Sequence, residues 1–296
     1  MKYAIIMDSS SGLTEEQANK LGFYFIPLYL QIDGVEYRDG IDINSKSIFE
    51  KYTLESEVKT SSFSPATAIE LFDLLTNKFD RIFVFPISYA LSGAYQNFVN
   101  IAKDYKNITV IESKTITVLS IVEAIWLKHQ LEKDFDKWPE YVNIIENNKL
   151  NFAASLVPKH NKYLVKGGRL TKGAAIVARM LKIVPIINLE NGALVKGDLG
   201  RIYSKTVLKL VNSMVENVKK QKINPLWFML EANNDKAEKE ATLSELKKHS
   251  NDVILANIPS VMSIHTGQDA TVIAWFELEE DIKQEVIKVF EEIINK

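Results

Sequence analysis

Ile82-Phe83-Val84-Phe85-Pro86-Ile87-Ser88-Tyr89-Ala90-Leu91-Ser92-Gly93-Ala94-Tyr95-Gln96 carries the clearest fold signal in the chain. Ile82–Phe85 is a short unbroken apolar run, as expected of a strand covered on both faces. Ser92-Gly93 then opens a helical pattern that continues to Tyr105. A strand that passes through a hydroxyl-bearing turn into a helix is one half of a βαβ unit, and the pattern recurs on either side. Tyr3–Met7, Phe23–Leu30 and Thr109–Ile111 read as strands. Thr14–Leu21, Ser45–Tyr52, Pro65–Asn77 and Thr115–Leu131 read as helices. Thr14-Glu15-Glu16-Gln17 has the form of a capping box, and Ser64-Pro65 is an N-cap followed by proline at the first helical position. Alternation of this kind predicts an α/β protein with a mostly parallel N-terminal sheet.

A helix over Trp138–Asn147 runs into the polar segment Asn147-Asn148-Lys149, which places a boundary between domains 1–150 and 151–296. The second half restarts with strand Phe152–Val157, the Lys166-Gly167-Gly168-Arg169 turn, a helix over Ala174–Leu181 and strand Val184–Leu189. Asn191-Gly192 signals a type I′ hairpin into Ala193–Lys196. Helix Val207–Lys220, strand Leu226–Leu230, helix Lys236–Lys248, strands Val253–Ile258 and Thr271–Phe276 and a helix from Glu280 follow. A hairpin inside an α/β pattern requires an antiparallel pair, so the C-terminal sheet is expected to be mixed.

With 296 residues, 46% of them hydrophobic, the chain can bury substantial cores. A net charge of −2 offers no global field for nucleic acid or a membrane surface. The absence of cysteine removes disulfides, thiolate zinc sites and thiol catalysis together. No apolar run approaches the roughly 20 residues of a membrane helix, and the short N-terminal apolar run reads as a strand rather than a secretion signal. The expectation is a cytoplasmic protein.

The candidate chemistry lies in hydroxyls placed ahead of helices. Lys59-Thr60-Ser61-Ser62-Phe63-Ser64 precedes Pro65, and Ser92-Gly93 precedes the next helix but one strand. Helix amides and neutral hydroxyls together suit a small anion. His265, in Ser263-Ile264-His265-Thr266-Gly267, sits in an expected loop between apolar strands. His129, His160 and His249 lie in polar surroundings and read as surface residues. No HExxH pair or other ligand cluster accompanies them, so no metal is expected. Lys166–Arg169 and Arg201 lack the Walker spacing and read as loop cations. Asp8-Ser9-Ser10-Ser11 follows the first strand and reads as an Asx/Ser turn, with catalysis as the alternative.

In order, Ala4-Ile5-Ile6-Met7-Asp8-Ser9-Ser10, Ile26-Pro27-Leu28, Asp39-Gly40-Ile41-Asp42, Lys59-Thr60-Ser61, Ser64-Pro65, Leu91-Ser92-Gly93-Ala94-Tyr95-Gln96, Ile111-Glu112-Ser113, Lys166-Gly167-Gly168-Arg169, Pro185-Ile186 and His265 resemble the DegV family of fatty-acid-binding proteins. The resemblance implies two α/β domains that enclose one long-chain fatty acid in an apolar tunnel, with no cofactor. It implies a carboxylate site at Thr60, Ser61, Ser92, Gly93 and His265, with the second domain closing the tunnel. The acid would be presented to a separate fatty acid kinase for acyl-phosphate formation, in the service of phospholipid synthesis. Lys166, Arg169 and Arg201 match basic positions of a kinase-docking surface. A monomer with transient membrane contact is expected. Two departures from the family pattern stand out: Tyr89 replaces a serine, and Gly267-Gln268-Asp269 replaces Gly-Pro-Gly. Asp269 would lie near His265 and favour its protonated form.

Two other classes compete with a carrier. A serine hydrolase acting on acyl esters would use Ser92 as nucleophile, His265 as base and Asp269 as the third member. It lacks the GxSxG elbow. A phosphotransferase related to dihydroxyacetone kinase would rest on general fold similarity, with no nucleotide motif to support it.

Overall fold

A computed structural model describes residues 1–180 and 182–295. The N-terminal half builds a four-stranded, all-parallel sheet in the order β2-β1-β6-β7, and a small antiparallel sheet in the order β4-β3-β5 stands beside it. The strands are β1 (Tyr3–Asp8), β2 (Tyr24–Ile26), β3 (Tyr29–Ile32), β4 (Val35–Arg38), β5 (Val58–Ser61), β6 (Arg81–Phe85) and β7 (Ile108–Val110). Their helices are α1 (Glu15–Lys20), α2 (Ile48–Lys51), α3 (Pro65–Thr76), α4 (Ala94–Ala102), α5 (Val118–Lys133) and α6 (Trp138–Glu146). The Thr14–Gln17 capping box forms in full at the start of α1.

The C-terminal half builds a six-stranded mixed sheet in the order β10-β9-β8-β13-β11-β12. It comprises β8 (Phe152–Val157), β9 (Val184–Glu190), β10 (Ala193–Gly200), β11 (Leu226–Glu231), β12 (Val253–Asn257) and β13 (Thr271–Phe276). Only β11–β12 pair in parallel. The helices are α7 (Asn161–Gly167), α8 (Lys172–Ala178), α9 (Tyr203–Gln221), α10 (Lys236–Lys247), α11 (Ser260–Thr266) and α12 (Glu280–Val289). The expected helix end at Leu181 lies outside the described residues.

Asn191 and Gly192 both take positive φ, 47° and 81°, as a type I′ hairpin requires. The hairpin tip also packs against the other half of the chain. Ser88 Oγ donates to the Gly192 carbonyl at 2.8 Å, and a Cβ on Gly192 would lie 2.3 Å from that oxygen.

Four readings change. The expected strand Phe23–Leu30 is two strands in two sheets, broken at Pro27, which has no N–H to give to a ladder. Thr60 and Ser61 end a strand rather than adjoin a helix, and Ser64 caps α3 without a side-chain hydrogen bond. Lys166-Gly167 closes α7 instead of forming a turn. His265 sits in the last turn of α11 rather than in a loop.

One core cluster draws residues from both halves, and a second lies under α9 against the outer face of the mixed sheet. Helix α5 is buried almost all round, from Val118 to Leu127 without a break, which explains its weak amphipathic pattern. No described helix is long and apolar enough to cross a membrane.

Glu123 lies inside this buried stretch, with Thr115 Oγ1 donating to its Oε2 at 2.6 Å. Burial pushes its carboxyl up from 4.5 to about 8. Between those values the folded protein keeps a proton that the unfolded chain has released, so stability falls as pH rises through the window. Glu123→Gln is therefore expected to raise Tm relative to the parent, by an increment that grows from about pH 5 to about pH 8. An increment that does not change with pH in parallel thermal melts would contradict this assignment.

Candidate functional site

A cavity of about 270 Å3 opens where the small sheet, the β6–α4 turn, the α7–α8 connection and α11 converge. Each element brings one part of the lining. Thr60 and Ser61 come from the end of β5, followed by Ser62; Ser92 and Gly93 come from the β6–α4 turn; His265 and Thr266 come from the last turn of α11; Arg169 follows α7. The five residues Thr60, Ser61, Ser92, Gly93 and His265, expected together from sequence, thus line one cavity. Leu28, Ile87, Leu91, Leu164, Leu194, Val261 and Met262 supply its apolar wall.

Thr60 is where the polar groups meet. Its Oγ1 lies 3.1 Å from His265 Nε2 and accepts from Arg169 Nη2 at 3.1 Å. Arg169 is itself held by donation from Nη1 to the Gly167 carbonyl at 2.5 Å. The imidazole fits only because residue 167 is glycine: a Cβ there would stand 2.7 Å from His265 Nδ1. Tyr52 Oη fixes the same turn of α11 by donating to the Ile264 carbonyl at 2.8 Å.

The electrostatics favour an anion through Arg169 rather than through histidine. Enclosure of the ring, and then the Arg169 charge, push His265 down to about 3, so the imidazole is neutral near pH 7. Asp269 does not reverse this. Its Oδ1 accepts from the Asp235 amide at 3.1 Å, and its Oδ2 faces Lys159 and His160, both at 3.8 Å. The expectation that Asp269 lies beside His265 and protonates it is therefore corrected, and the same geometry takes away the third member of a hydrolytic triad. Ser92 Oγ accepts from the Ala94 amide at 3.2 Å, while His265 Nε2 faces Thr60.

Three buried polar atoms on residues of the lining have no hydrogen-bond partner among the described residues: Ser62 Oγ, His265 Nδ1 and Thr266 Oγ1. Buried polar atoms are nearly always paired, so a cluster of exceptions on the residues of one cavity is unusual. Thr266 was not singled out from the sequence, although it adjoins His265.

A narrower apolar space of about 40 Å3 continues past Leu194, Met262 and Thr266. Its floor is the inner face of the mixed sheet, where Ala154 and Ala274 form a cross-strand pair flanked by Leu156, Ile187, Leu189 and Val272. Two facing alanines leave a trough that larger side chains would fill. Among the described residues no group of acidic, histidine or cysteine side chains could hold a metal.

The basic residues expected on a docking surface divide. Lys166 Nζ donates to the Ser56 carbonyl at 2.6 Å, and Arg169 reaches into the cavity. Arg201 is exposed beside Ile202, itself 53% exposed. Of the other histidines, His129 faces Asp281 at 3.0 Å and Glu285 at 3.6 Å on the surface of α5.

With His265 neutral far below pH 6.5, its ring-nitrogen NMR resonances are expected to stay those of a neutral imidazole at about pH 5. A titration midpoint near the ordinary histidine value would contradict the enclosed geometry.

Comparison with known proteins agrees with this architecture. The family model DegV, described as an uncharacterised protein of the DegV family, matches residues 2–278. A DegV domain-containing protein of Mycoplasmopsis pulmonis is 39% identical over 292 residues, covering 98% of this chain and 100% of that protein. Among solved structures, the DegV fatty acid binding protein of Bacillus subtilis superposes with a TM-score of 0.82 at 19% identity, covering 94% of this chain and 100% of the other. A stearic acid-binding protein of Eubacterium ventriosum gives 0.78 at 24% identity, with 93% and 98% covered. At those identities the structures speak for the fold. The family match over nearly the whole length, together with the Mycoplasmopsis relative, establishes that this chain belongs to the DegV family.

Proposed function

We propose that the protein binds one long-chain fatty acid and presents its carboxylate to a separate fatty acid kinase for acyl-phosphate formation. The observation that carries this reading is the composition of the cavity. Hydroxyls, an imidazole and a guanidinium gather at one end, and an apolar trough floored by Ala154 and Ala274 leads away from it. That division matches an amphiphile with a small anionic head. The binding descriptions of the Bacillus subtilis and Eubacterium ventriosum neighbours support the same ligand class.

The carboxylate is placed among Thr60, Ser61, Ser92, the Gly93 turn and His265, with Ser62 and Thr266 as further donors. Arg169 supplies the countercharge. When Arg169 and His265 Nε2 both donate to Thr60 Oγ1, the Thr60 proton is free to turn towards the head group. Affinity then comes from the tail, at about 0.8 kcal/mol for each buried CH₂. The two spaces together sit at the small end of the roughly 300–1,000 Å3 typical of ligand sites, so a long chain must push the wall outward. Met262, shared by both spaces and lined up with the trough, is the side chain best suited to yield.

In this reading residues 1–150 carry the head-group hydroxyls and residues 151–296 close the tunnel. Arg201, exposed beside Ile202, is the free part of the docking surface, while Lys166 and Arg169 join it only at the cavity mouth. The carrier works as a cytoplasmic monomer, touches membranes transiently and catalyses nothing itself. A serine hydrolase draws no support from the geometry, since His265 faces Thr60 and Asp269 is engaged elsewhere.

Protein purified from bacteria, denatured and extracted, is expected to release fatty acid in equimolar amount by mass spectrometry; an empty extract together with no binding of added fatty acids would overturn the reading. Ala274→Phe should fill the trough. Excluding two methylenes costs about 1.6 kcal/mol, roughly a tenfold or greater rise in Kd for long chains, with little change for short ones. An equal loss for both lengths would contradict the placement of the tail. Arg201→Glu should leave lipid binding unchanged and slow phosphorylation by the kinase; an unchanged rate would reject that surface.

A further inference from the structure

The floor of the apolar trough is an incompletely paired sheet. β8 pairs with β13 along its whole length, Phe152–Val157, and β9 pairs with β10 over Val184–Glu190. Between β8 and β9 the ladder is only two residues long, Ser155 with Asn188 and Leu156 with Ile187. Continued in register, it would set Ala154 against Leu189 and Ala153 against Glu190, but these residues are not paired across the seam. Each strand is held by a different neighbour. β8 follows β13, whereas the β9–β10 hairpin ends at Gly192, whose carbonyl accepts from Ser88 Oγ in the N-terminal half at 2.8 Å. Backbone groups that a full ladder would have used therefore face the opening.

The seam leads to a crevice of about 470 Å3 on the outer face of the sheet, bordered by Ala153, Asn188 and Trp275 from the strands and by Ser213 and Asn217 from α9. Ala154, Ser155 and Leu189 border this crevice and the trough alike. Side chains alternate between the faces of a strand, so Ala154 and Ser155 belong to opposite faces, which a closed ladder would keep apart. Their sharing of both spaces follows from the parted strands. The two spaces differ in chemistry. The trough is mostly aliphatic, whereas the crevice carries four asparagines, Asn148, Asn188, Asn191 and Asn217, and a single charged side chain, Glu190. Asn148, Asn191 and Asn217 are exposed, so their amides are open to solvent and to a ligand. A hydrocarbon end gains nothing among them, while a neutral hydroxyl finds both donors and acceptors.

We propose that the seam between β8 and β9 is a second opening of the lipid site, and that it admits long-chain acids bearing a hydroxyl at the end remote from the carboxylate. The inference rests on the fatty-acid reading above, with the carboxylate near Thr60 and the chain along the trough. In a sealed apolar trough the remote hydroxyl would lose its water and gain no partner. Here it passes through the seam to asparagine amides and solvent. The same passage takes up the last carbons of a chain that the trough is too short to hold.

The test compares the Kd of palmitic acid and of ω-hydroxypalmitic acid for the protein stripped of lipid. With a second opening, the hydroxylated acid is expected to bind within about threefold of palmitic acid; a sealed trough would weaken it by roughly tenfold or more. Ala153 borders the crevice but not the trough, so Ala153→Phe should plug the outer end. That variant is expected to weaken the hydroxylated acid by about tenfold and leave palmitic acid within about threefold. If it does not fold, Ser213→Phe, exposed on α9, closes the crevice from the opposite wall with the same expectation. Tight binding of palmitic acid, with tenfold or greater discrimination against the hydroxylated acid in the parent, overturns the second opening and leaves the lipid reading intact. Plugged variants that weaken both acids equally, or neither, also overturn it. Binding of neither acid by the parent removes the lipid reading and this inference with it.

Discussion

The contact on which the site depends is the one at Thr60 Oγ1, which faces His265 Nε2 and accepts from Arg169 Nη2, each at 3.1 Å. These three residues come from a strand of the small N-terminal sheet, a short C-terminal helix and the segment that follows α7. The hydroxyl gives a cation and a ring nitrogen a common partner, and Gly167 lets the ring approach closely enough to use it. The mixed sheet meets the parallel one in the same region, through the Asn191-Gly192 hairpin and its hydrogen bond from Ser88. The polar end of the cavity and the contact between the two sheets thus lie in one region.

This arrangement separates affinity from polarity. The polar end holds one formal positive charge, on Arg169, and a histidine kept neutral by burial and by that charge. In the proposed reading an anion bound there is balanced by Arg169 alone, without a second fixed cation. In the proposed reading the apolar end, made roomy by the Ala154–Ala274 pair, is where burial of hydrocarbon would provide the free energy. On that reading chain preference would be a matter of the trough, and recognition by a partner a matter of the mouth. The two can change independently.

Much of this was legible in sequence, for reasons specific to certain residues. Ile82–Phe85 followed by Ser92-Gly93 announces a strand, a turn and a helix because apolar period and backbone freedom change within a few residues. Asn191-Gly192 announces a hairpin because few other pairs take two positive φ angles cheaply. The break at Pro27 was readable in principle, but a long apolar run hid it. The seven-residue helix α11 was not, because Ser260–Thr266 is too short and too uniformly buried to show a helical period. Long side chains carry the least information. Nothing in Lys166-Gly167-Gly168-Arg169 tells which cation turns inward, and Arg169 does so because the Gly167 carbonyl and Thr60 offer it acceptors. Asp269, adjacent in sequence to the His265 segment, faces the other way, towards Lys159 and His160.

Carbon-13 NMR of a long-chain fatty acid labelled at its carboxyl carbon would show whether an acyl carboxylate sits beside Thr60 and His265. A single bound resonance in slow exchange at equimolar ratio is expected, displaced from that of the free acid, and it should shift again in Thr60→Val. A spectrum with only the free or aggregated acid, or a bound resonance indifferent to Thr60→Val, would contradict it.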